Sequence, residues 1–282
     1  MRIKITADST CDLPKDIIDR YNIGITPLYI IKDEIAYKDS EEITVNEIFE
    51  YVDKGAGMTK SSAVNVSEYI DYFSRWLEDC DAIIHITLSG RISMCNQNAR
   101  LAAASFANVH IVDSTTLSSA SGHIVLDAAI MAESGMALES ILHELERLVP
   151  LVRASFVIGN LTYLYRGGRC SGLAAMGANL LKLNPCIELI DGEMSVGKKY
   201  RGSFDKIVHN YVEDKLSTPE TIDTRRLFIT YPPSMENRLI AEVIEKVNTL
   251  VSFDEIICCE AGCVISNHCG PICIGILFYR SI

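Results

Sequence analysis

Hydroxyl-bearing side chains cluster directly after several predicted strands of this 282-residue chain, and such clusters suit the binding of a small anion. In open α/β sheets, ligands lie at the carboxyl ends of the strands. A helix that starts there also exposes free N–H groups and the positive end of its dipole. We therefore expect several of these loops to converge on one anionic ligand. The loops span residues 8–12, 59–65, 86–93 and 113–119.

These loops also have simpler explanations, which the sequence leaves open. Asp8 and Ser9 are typical of a helix-entry turn that is held by side-chain hydrogen bonds. Ser93 is well placed to cap the Ala-rich helix predicted over residues 93–106, which is the commoner task of such a serine. One hydroxyl-rich loop is ordinary, so the anion-binding hypothesis depends on several loops reaching the same rim.

Basic segments and one histidine are further candidates. Arg166 belongs to an Arg-Gly-Gly-Arg segment, and Arg201 follows two lysines and a tyrosine. Arginine presents a planar fork that matches a carboxylate or a phosphate, although exposed basic turns are the alternative. His268 lies among Gly and Pro residues that predict a tight loop between strands. It could donate a hydrogen bond to an anion, or it could be structural.

No intact catalytic or metal motif is present. The sequence contains neither G-x-S-x-G nor H-E-x-x-H. Residues 192–198 match G-x-x-x-x-G-K, but Lys199 follows where a phosphate-binding loop needs Ser or Thr to hold Mg²⁺. Five late cysteines have irregular gaps and aliphatic neighbours, which favours buried apolar positions over a metal site. We predict no catalytic residue, no metal and no cofactor.

Composition argues against several classes of partner and location. The net charge of −11 disfavours nucleic acid, because binding to its phosphates needs a basic surface. No apolar run reaches the ~18–20 residues of a membrane span, and we see no secretion signal. We expect a cytoplasmic protein without disulfides and without stable membrane insertion. At 48 % hydrophobic residues, the chain can bury a sizeable core.

The order of predicted elements indicates an α/β fold with two lobes. The first half alternates strands and helices, which is typical of a parallel sheet covered on both faces. In the second half, Asp191-Gly192 predicts a hairpin, since both central residues of a type I′ turn need positive φ. We predict a three-layer α/β/α domain with a mainly parallel sheet over 1–154, and an α/β domain with a mixed sheet over 155–282. The other predicted strands are 3–6, 25–30, 82–87, 109–112, 226–230, 255–259 and 272–279.

Seven segments, taken in order along nearly the whole chain, resemble the DegV family. No single segment is decisive, but their shared order is highly specific. The segments are 6–14, 60–62, 89–93, 112–114, 166–169, 197–202 and 268–271.

The resemblance implies two lobes of the EDD-type fold that bury a long-chain fatty acid without performing chemistry on it. Such proteins are the lipid-binding subunit of bacterial fatty acid kinase, and a separate kinase subunit phosphorylates the carboxylate. Residues 174–181 are candidates for the lining of the acyl tunnel. The resemblance places the carboxylate at Ser61, Ser62, Ser93 and His268. It implies supporting or partner-facing roles for Asp8, Ser9, Ser89, Arg166 and Arg201.

The chain departs from the family pattern at three places. Ala63-Val64 stands where Gln-Pro is usual, and Met94 follows Ser93 where the family often has glycine. Ile272 replaces the last glycine of a terminal Gly-Pro-Gly. We expect these changes to affect the preferred chain length of the fatty acid and the coupling to a kinase. We expect binding of the carboxylate itself to be retained.

Two other functions stay open. The first is a small-molecule kinase or phosphotransferase that acts on a phosphorylated metabolite, held by the hydroxyl loops and the arginines. It requires nucleotide binding, for which the sequence offers no intact phosphate loop. The second is a lipid or metabolite sensor that acts through protein contacts alone.

Overall fold

The computed structural model describes residues 1–170 and 184–281. They form an α/β protein with a parallel sheet, a small antiparallel sheet and a mixed sheet, so the predicted fold class is confirmed. Residues 174–181, the candidate tunnel lining, lie outside the described residues. Within the described part, no helix is long and apolar enough to cross a membrane.

The strands of the described chain are β1 (Ile3–Asp8), β2 (Gly24–Thr26), β3 (Tyr29–Lys32), β4 (Ile35–Lys38), β5 (Lys60–Ser62), β6 (Ala82–Thr87), β7 (Val109–Asp113), β8 (Val152–Ile158), β9 (Asn184–Ile190), β10 (Glu193–Tyr200), β11 (Ile222–Tyr231), β12 (Ile256–Glu260) and β13 (Cys273–Arg280). Its α-helices are α1 (Lys15–Arg20), α2 (Val45–Asp53), α3 (Val66–Leu77), α4 (Cys95–Ala103), α5 (Ser118–Glu133), α6 (Leu138–Leu148), α7 (Thr162–Gly167), α8 (Phe204–Lys215), α9 (Asn237–Leu250) and α10 (Cys263–Cys269).

The parallel sheet has the strand order β2-β1-β6-β7. All six residues of β6 are buried, as expected for a parallel strand that is covered on both faces. Thr44 and Asn65 directly precede α2 and α3, and their side chains form capping boxes with Glu47 and Glu68. These caps satisfy backbone N–H groups that the first helical turn leaves free. They fix the start of α3 just after the loop that follows β5.

The mixed sheet has the strand order β10-β9-β8-β13-β11-β12. β11 and β12 run parallel, and the other neighbours are antiparallel. The predicted hairpin is confirmed: Asp191 and Gly192 have φ values of 50° and 85°, as a type I′ turn requires. The predicted domain boundary after residue 154 falls inside β8, and the division into two domains stays a prediction.

Helix α5 lies between the two large sheets. It contacts β1 and β6 of the parallel sheet, and β8, β11 and β13 of the mixed sheet. Two of its polar side chains are bonded within the core: the hydroxyl of Ser119 pairs with that of Thr230, and His123 Nε2 lies 3.0 Å from the carbonyl oxygen of Leu277. A polar group buried without a partner would oppose folding. These bonds therefore allow α5 to join the two sheets in one core.

Two elements of the site differ from the prediction. The loop around Ser61 contains β5, which pairs with β3 in an antiparallel sheet of order β4-β3-β5. The loop around His268 is helix α10, which ends at Gly270 with a φ of 74°. β5 is too short to produce a pattern, and α10 lacks the apolar periodicity of a longer helix.

Candidate functional site

Ser61 and His268 meet in the structure although 207 residues separate them. Ser61 lies on β5, and its Oγ is 2.7 Å from Nε2 of His268 on α10. β5 reaches this position because Ser61 pairs with Ile30 of β3. The contact therefore joins the antiparallel sheet of the first half to a helix near the end of the chain.

The two residues line a cavity of about 390 Å³, which Ser62 and Ser93 also line. All four residues that the resemblance assigned to the carboxylate therefore border one space. The other polar lining residues are Asn98 and Arg169. Most of the remaining wall is apolar, and it includes Leu88, Ile92, Leu117, Phe156, Met194 and Ile265. A cavity that combines several polar side chains with an apolar wall suits an amphipathic anion.

Ser93 lies just before α4 rather than at its first residue. Its Oγ accepts a hydrogen bond of 3.2 Å from the backbone N–H of Cys95, where the helix begins. The predicted capping role and the predicted ligand role are therefore compatible. The hydroxyl hydrogen of Ser93 is not used by that bond, so it is available to an acceptor in the cavity.

Burial of His268, together with the nearby positive charge of Arg169, lowers its pKa to about 4. The imidazole is therefore neutral at physiological pH. Its Nδ1 is buried and has no hydrogen-bond partner in the described part of the chain. With the ring proton on Nε2, His268 donates to Ser61, and the Ser61 hydroxyl is then free to donate into the cavity.

Gly167 fixes how closely α7 approaches His268. A Cβ on Gly167 would lie 2.3 Å from His268 Nδ1, so a larger residue cannot occupy this position without moving the ring. Gly168 ends α7 with a φ of 68°, and Arg169 then lines the cavity. The two glycines of the Arg-Gly-Gly-Arg segment thus serve different purposes: one makes room for His268, and the other turns the chain toward the cavity.

The structure places three of the supporting candidates in packing roles. Asp8 is buried, and it accepts bonds from the Tyr69 hydroxyl (2.6 Å) and the Leu88 N–H (3.0 Å). Ser9 donates to Asp39 over 2.6 Å. Ser89 donates over 2.7 Å to the carbonyl oxygen of Gly192, which joins the first half to the β9–β10 hairpin. These three residues shape the loops around the cavity without lining it.

The arginine that borders the cavity is Arg169, which sequence reasoning did not select. Arg166 and Arg201 are exposed and do not line it. A partner-facing role for these two arginines stays a prediction. The signal that could have found Arg169 is the pair of glycines before it, because a left-handed residue redirects the chain at the end of a helix.

Two of the departures from the family pattern lie at this cavity. Ala63 and Met94 are among its lining residues, and the Met94 side chain is exposed. Ile272 lies outside it and packs on Gly159, where a Cβ would come within 2.6 Å of Ile272 Cγ2. The size of the residues at positions 63 and 94 therefore sets the shape of the cavity opening.

Two carboxylates of the first half hold the start of α10, the helix that carries His268. Asp12 Oδ1 accepts from the N–H of Gly262 over 2.9 Å, and its Oδ2 accepts from the Ser118 hydroxyl over 2.5 Å. Asp39 Oδ1 accepts from the N–H of Cys263 over 2.8 Å. These bonds tie the position of His268 to loops of the first half.

Replacing Asp12 by asparagine is expected to flatten the pH dependence of stability between about pH 4 and pH 8. Burial raises the pKa of Asp12 from its ordinary 3.8 to about 8, so the folded protein holds a proton that the unfolded chain releases. Stability from this group is complete below pH 4 and is lost as the pH rises to 8. Asparagine tolerates the residue's φ of 48° and cannot ionise. Urea unfolding of wild type and Asp12→Asn between pH 4 and pH 8 measures the effect. If the free energy of unfolding depended on pH in the same way in both proteins, the raised pKa of Asp12 would be contradicted.

The match to a phosphate-binding loop has the wrong structural context. Residues 192–198 form the hairpin turn and most of β10 rather than a loop between a strand and a helix. This context agrees with the rejection of the match on sequence grounds. Among residues 1–170 and 184–281, no group of three His, Cys, Asp or Glu side chains is arranged to hold a metal ion.

Comparison with known families decides the classification. The family model described as "Uncharacterised protein, DegV family" matches residues 2–281. The chain belongs to the DegV family. Membership extends over nearly the whole chain, so both the parallel-sheet half and the mixed-sheet half are part of the family's fold.

Several DegV relatives are described as binding fatty acids. The "Fatty acid-binding protein" of Thermotoga maritima is 30 % identical over 98 % of this chain and 96 % of the relative. A Thermus thermophilus DegV family structure, described by its fatty acid binding, has a TM-score of 0.91 and 32 % identity over 100 % of both chains. The Bacillus subtilis DegV structure, described as a fatty acid binding protein, has a TM-score of 0.83 and 26 % identity over 100 % of both chains.

Proposed function

We propose that this protein binds a long-chain fatty acid, with the carboxylate next to the polar side chains of the cavity and the acyl chain along its apolar wall. The observation that carries the proposal is that Ser61 and His268, which contact each other, and Ser93 line one cavity whose wall is otherwise largely apolar. The fatty acid binding described for DegV relatives of similar structure supports the same conclusion.

The carboxylate would be held mainly by hydroxyl donors. Ser61 can donate when the His268 proton is on Nε2, since its oxygen then accepts from the ring, and Ser93 can donate because its oxygen is already an acceptor. Ser62 adds a third hydroxyl, and Arg169 adds a positive charge at the same cavity. A carboxylate that leaves water needs such partners, since an unpaired buried charge is strongly unfavourable. Hydrogen bonds to a charged group are also stronger than those between neutral groups.

The acyl chain would run from these polar side chains toward the mixed sheet. A second, narrower cavity of about 30 Å³ shares Leu117, Phe156, Ile265 and Cys269 with the first. It continues between α10 and the sheet as far as Leu277. Each buried methylene contributes about 0.8 kcal/mol, so affinity should rise with chain length until the passage is filled.

Under this proposal the protein is a carrier, and a separate kinase subunit would phosphorylate the bound carboxylate. Ser62 and Met94 are exposed at the cavity, so the polar end of the ligand would face the protein surface. The exposed Arg166 and Arg201 would contact the kinase. Cell fractionation tests the accompanying prediction of a cytoplasmic location.

Replacing Ser93 by alanine should weaken fatty-acid binding by about tenfold or more, the usual effect of losing one hydrogen bond to a charged group. The helix loses part of its cap as well, so thermal unfolding is measured beside a calorimetric titration with palmitate. Ser105→Ala is the matched control, because Ser105 is exposed at the other end of α4. Equal affinity of Ser93→Ala and wild type would remove Ser93 from the site.

A further inference from the structure

A large cleft lies where strands β8 and β9 separate. The two strands pair only between Ser155–Val157 and Cys186–Glu188, so the start of β8 and the end of β9 diverge. The space between them forms a cleft of about 920 Å³. Its described lining shares no residue with the cavity of Ser61 and His268. A volume of this size lies within the range of small-molecule sites.

The cleft is basic although the chain as a whole is acidic. Four basic residues line it, against the two acidic residues Glu188 and Asp191. Two of the basic residues have partners, because Arg91 pairs with Glu193 and Lys215 pairs with Glu188. The other two are Arg153 and Arg280, for which the described part of the chain supplies no ion pair.

Arg153 and Arg280 lie close together on one face of the mixed sheet. Arg153 is opposite Phe278 in the register of β8 and β13, and Arg280 is two residues further along. Arg153 and Arg280 are exposed, but partial burial of the Arg153 guanidinium, together with the charge of Arg280, lowers the pKa of Arg153. Arg153 Nη1 donates to the carbonyl oxygens of Pro150 and Val152 over 3.0 and 2.9 Å, which fixes the guanidinium. Two adjacent cations without a carboxylate form an arrangement that an anion would stabilise.

An unpaired hydroxyl borders the same cleft. Thr116 is 3 % exposed, and its Oγ1 has no hydrogen-bond partner in the described residues. It belongs to the hydroxyl-rich loop after β7, of which only Leu117 is among the described lining residues of the Ser61 cavity. A buried hydroxyl without a partner is unfavourable unless a ligand or solvent satisfies it. Thr115 beside it has a φ of 51°, which is uncommon for a β-branched residue.

We propose that this cleft is a second binding site, specific for a phosphate monoester with an apolar body. Arg153 and Arg280 bind the phosphate, and their planar forks match its oxygens. The apolar part packs on lining residues such as Val149, Leu189 and Phe278. The described lining of this site differs from that of the cavity of Ser61 and His268, although Ala154 and Ser155 also border the narrower cavity proposed for the acyl chain. The proposal does not depend on the function proposed for that cavity.

Hexyl phosphate is a suitable probe, and isothermal titration calorimetry measures its binding. Preloading the protein with palmitate keeps the probe out of the other cavity. We expect saturable binding that inorganic phosphate displaces, and no binding of hexanol. The double variant Arg153→Gln/Arg280→Gln should weaken the binding about tenfold or more, since both charged donors are lost. Arg75→Gln, at an exposed site on α3, is the charge-matched control for Arg280→Gln alone and should bind as wild type does.

The same variants separate this site from the fatty-acid cavity. The double variant should bind palmitate with unchanged affinity, and Ser61→Ala should bind hexyl phosphate with unchanged affinity. If the double variant does not fold, Arg280→Gln alone must weaken hexyl phosphate binding. Three results would each overturn the proposal. The first is wild-type protein that shows no saturable binding of hexyl phosphate. The others are a double variant that binds hexyl phosphate as tightly as wild type does, and hexanol that binds as tightly as hexyl phosphate.

Discussion

Replacing Ser61 by alanine is expected to raise the dissociation constant for palmitate by about tenfold to a hundredfold, the range for a hydrogen bond to a charged group. Ser61 is the residue through which His268 acts on the ligand, since the two side chains are 2.7 Å apart. The substitution removes a donor to the carboxylate and also leaves His268 Nε2 without its partner. Isothermal titration calorimetry of the variant and wild type measures the change.

The control for this experiment is Ser67→Ala. Ser67 is an exposed residue of α3 close to Ser61 in sequence, and it does not line the cavity. Its affinity for palmitate should equal that of wild type. Ser61→Ala that binds palmitate as tightly as Ser67→Ala would show that the carboxylate lies elsewhere.

Replacing Gly167 by alanine is expected to reduce palmitate affinity about as much as Ser61→Ala and to lower thermal stability as well. The new Cβ would lie 2.3 Å from His268 Nδ1, so the ring must move away from α7. Overpacking of this kind typically costs about 1–3 kcal/mol. Because the ring is held between Gly167 and Ser61, its movement breaks the contact with the Ser61 hydroxyl. Thermal unfolding and a palmitate titration measure the two effects.

Gly168→Ala separates backbone strain from displacement of the ring. Gly168 has a φ of 68°, so alanine there is strained, but its Cβ would have no neighbour within 4 Å. We expect lower thermal stability with palmitate affinity close to that of wild type. If Gly167→Ala and Gly168→Ala reduced palmitate affinity equally, a general disturbance of α7 would explain the loss. Displacement of the His268 ring would then not be its cause.

The parts of the fold that follow from local pattern could be predicted from the sequence. β6 is mostly apolar, with His85 and Thr87 as its polar residues, and its burial on both faces follows from a parallel sheet. The dipeptide Asp191-Gly192 indicates the turn of the β9–β10 hairpin, because few residue pairs adopt positive φ twice in succession. In both cases, neighbouring residues determine the conformation, so no distant contact is needed to infer it.

The site could be predicted only in part, because distant contacts build it. Ser61 lies on a three-residue strand that exists only because it pairs with β3, and His268 lies on a helix whose start is held by Asp12 and Asp39. Neither element has a pattern of its own. The family resemblance supplied these residues, whereas the position of Arg169 depends on the turn at Gly168.

Hydroxyl-rich loops are an ambiguous signal for a further reason. Ser9 and Ser89 are as polar as Ser61 and Ser93, yet they bond to Asp39 and to the Gly192 carbonyl oxygen. A serine hydroxyl satisfies a protein group and a ligand equally well. Only the three-dimensional arrangement distinguishes a serine that supports a loop from one that faces the cavity.

The most direct test of fatty-acid binding is native mass spectrometry of the purified protein, before and after addition of palmitate. Gas chromatography of extracted lipid identifies any bound acid. We predict one long-chain fatty acid per chain, present after purification or taken up on addition, and a smaller occupied fraction in Ser61→Ala. Wild-type protein that is purified without fatty acid and takes up no added palmitate would contradict the proposed function.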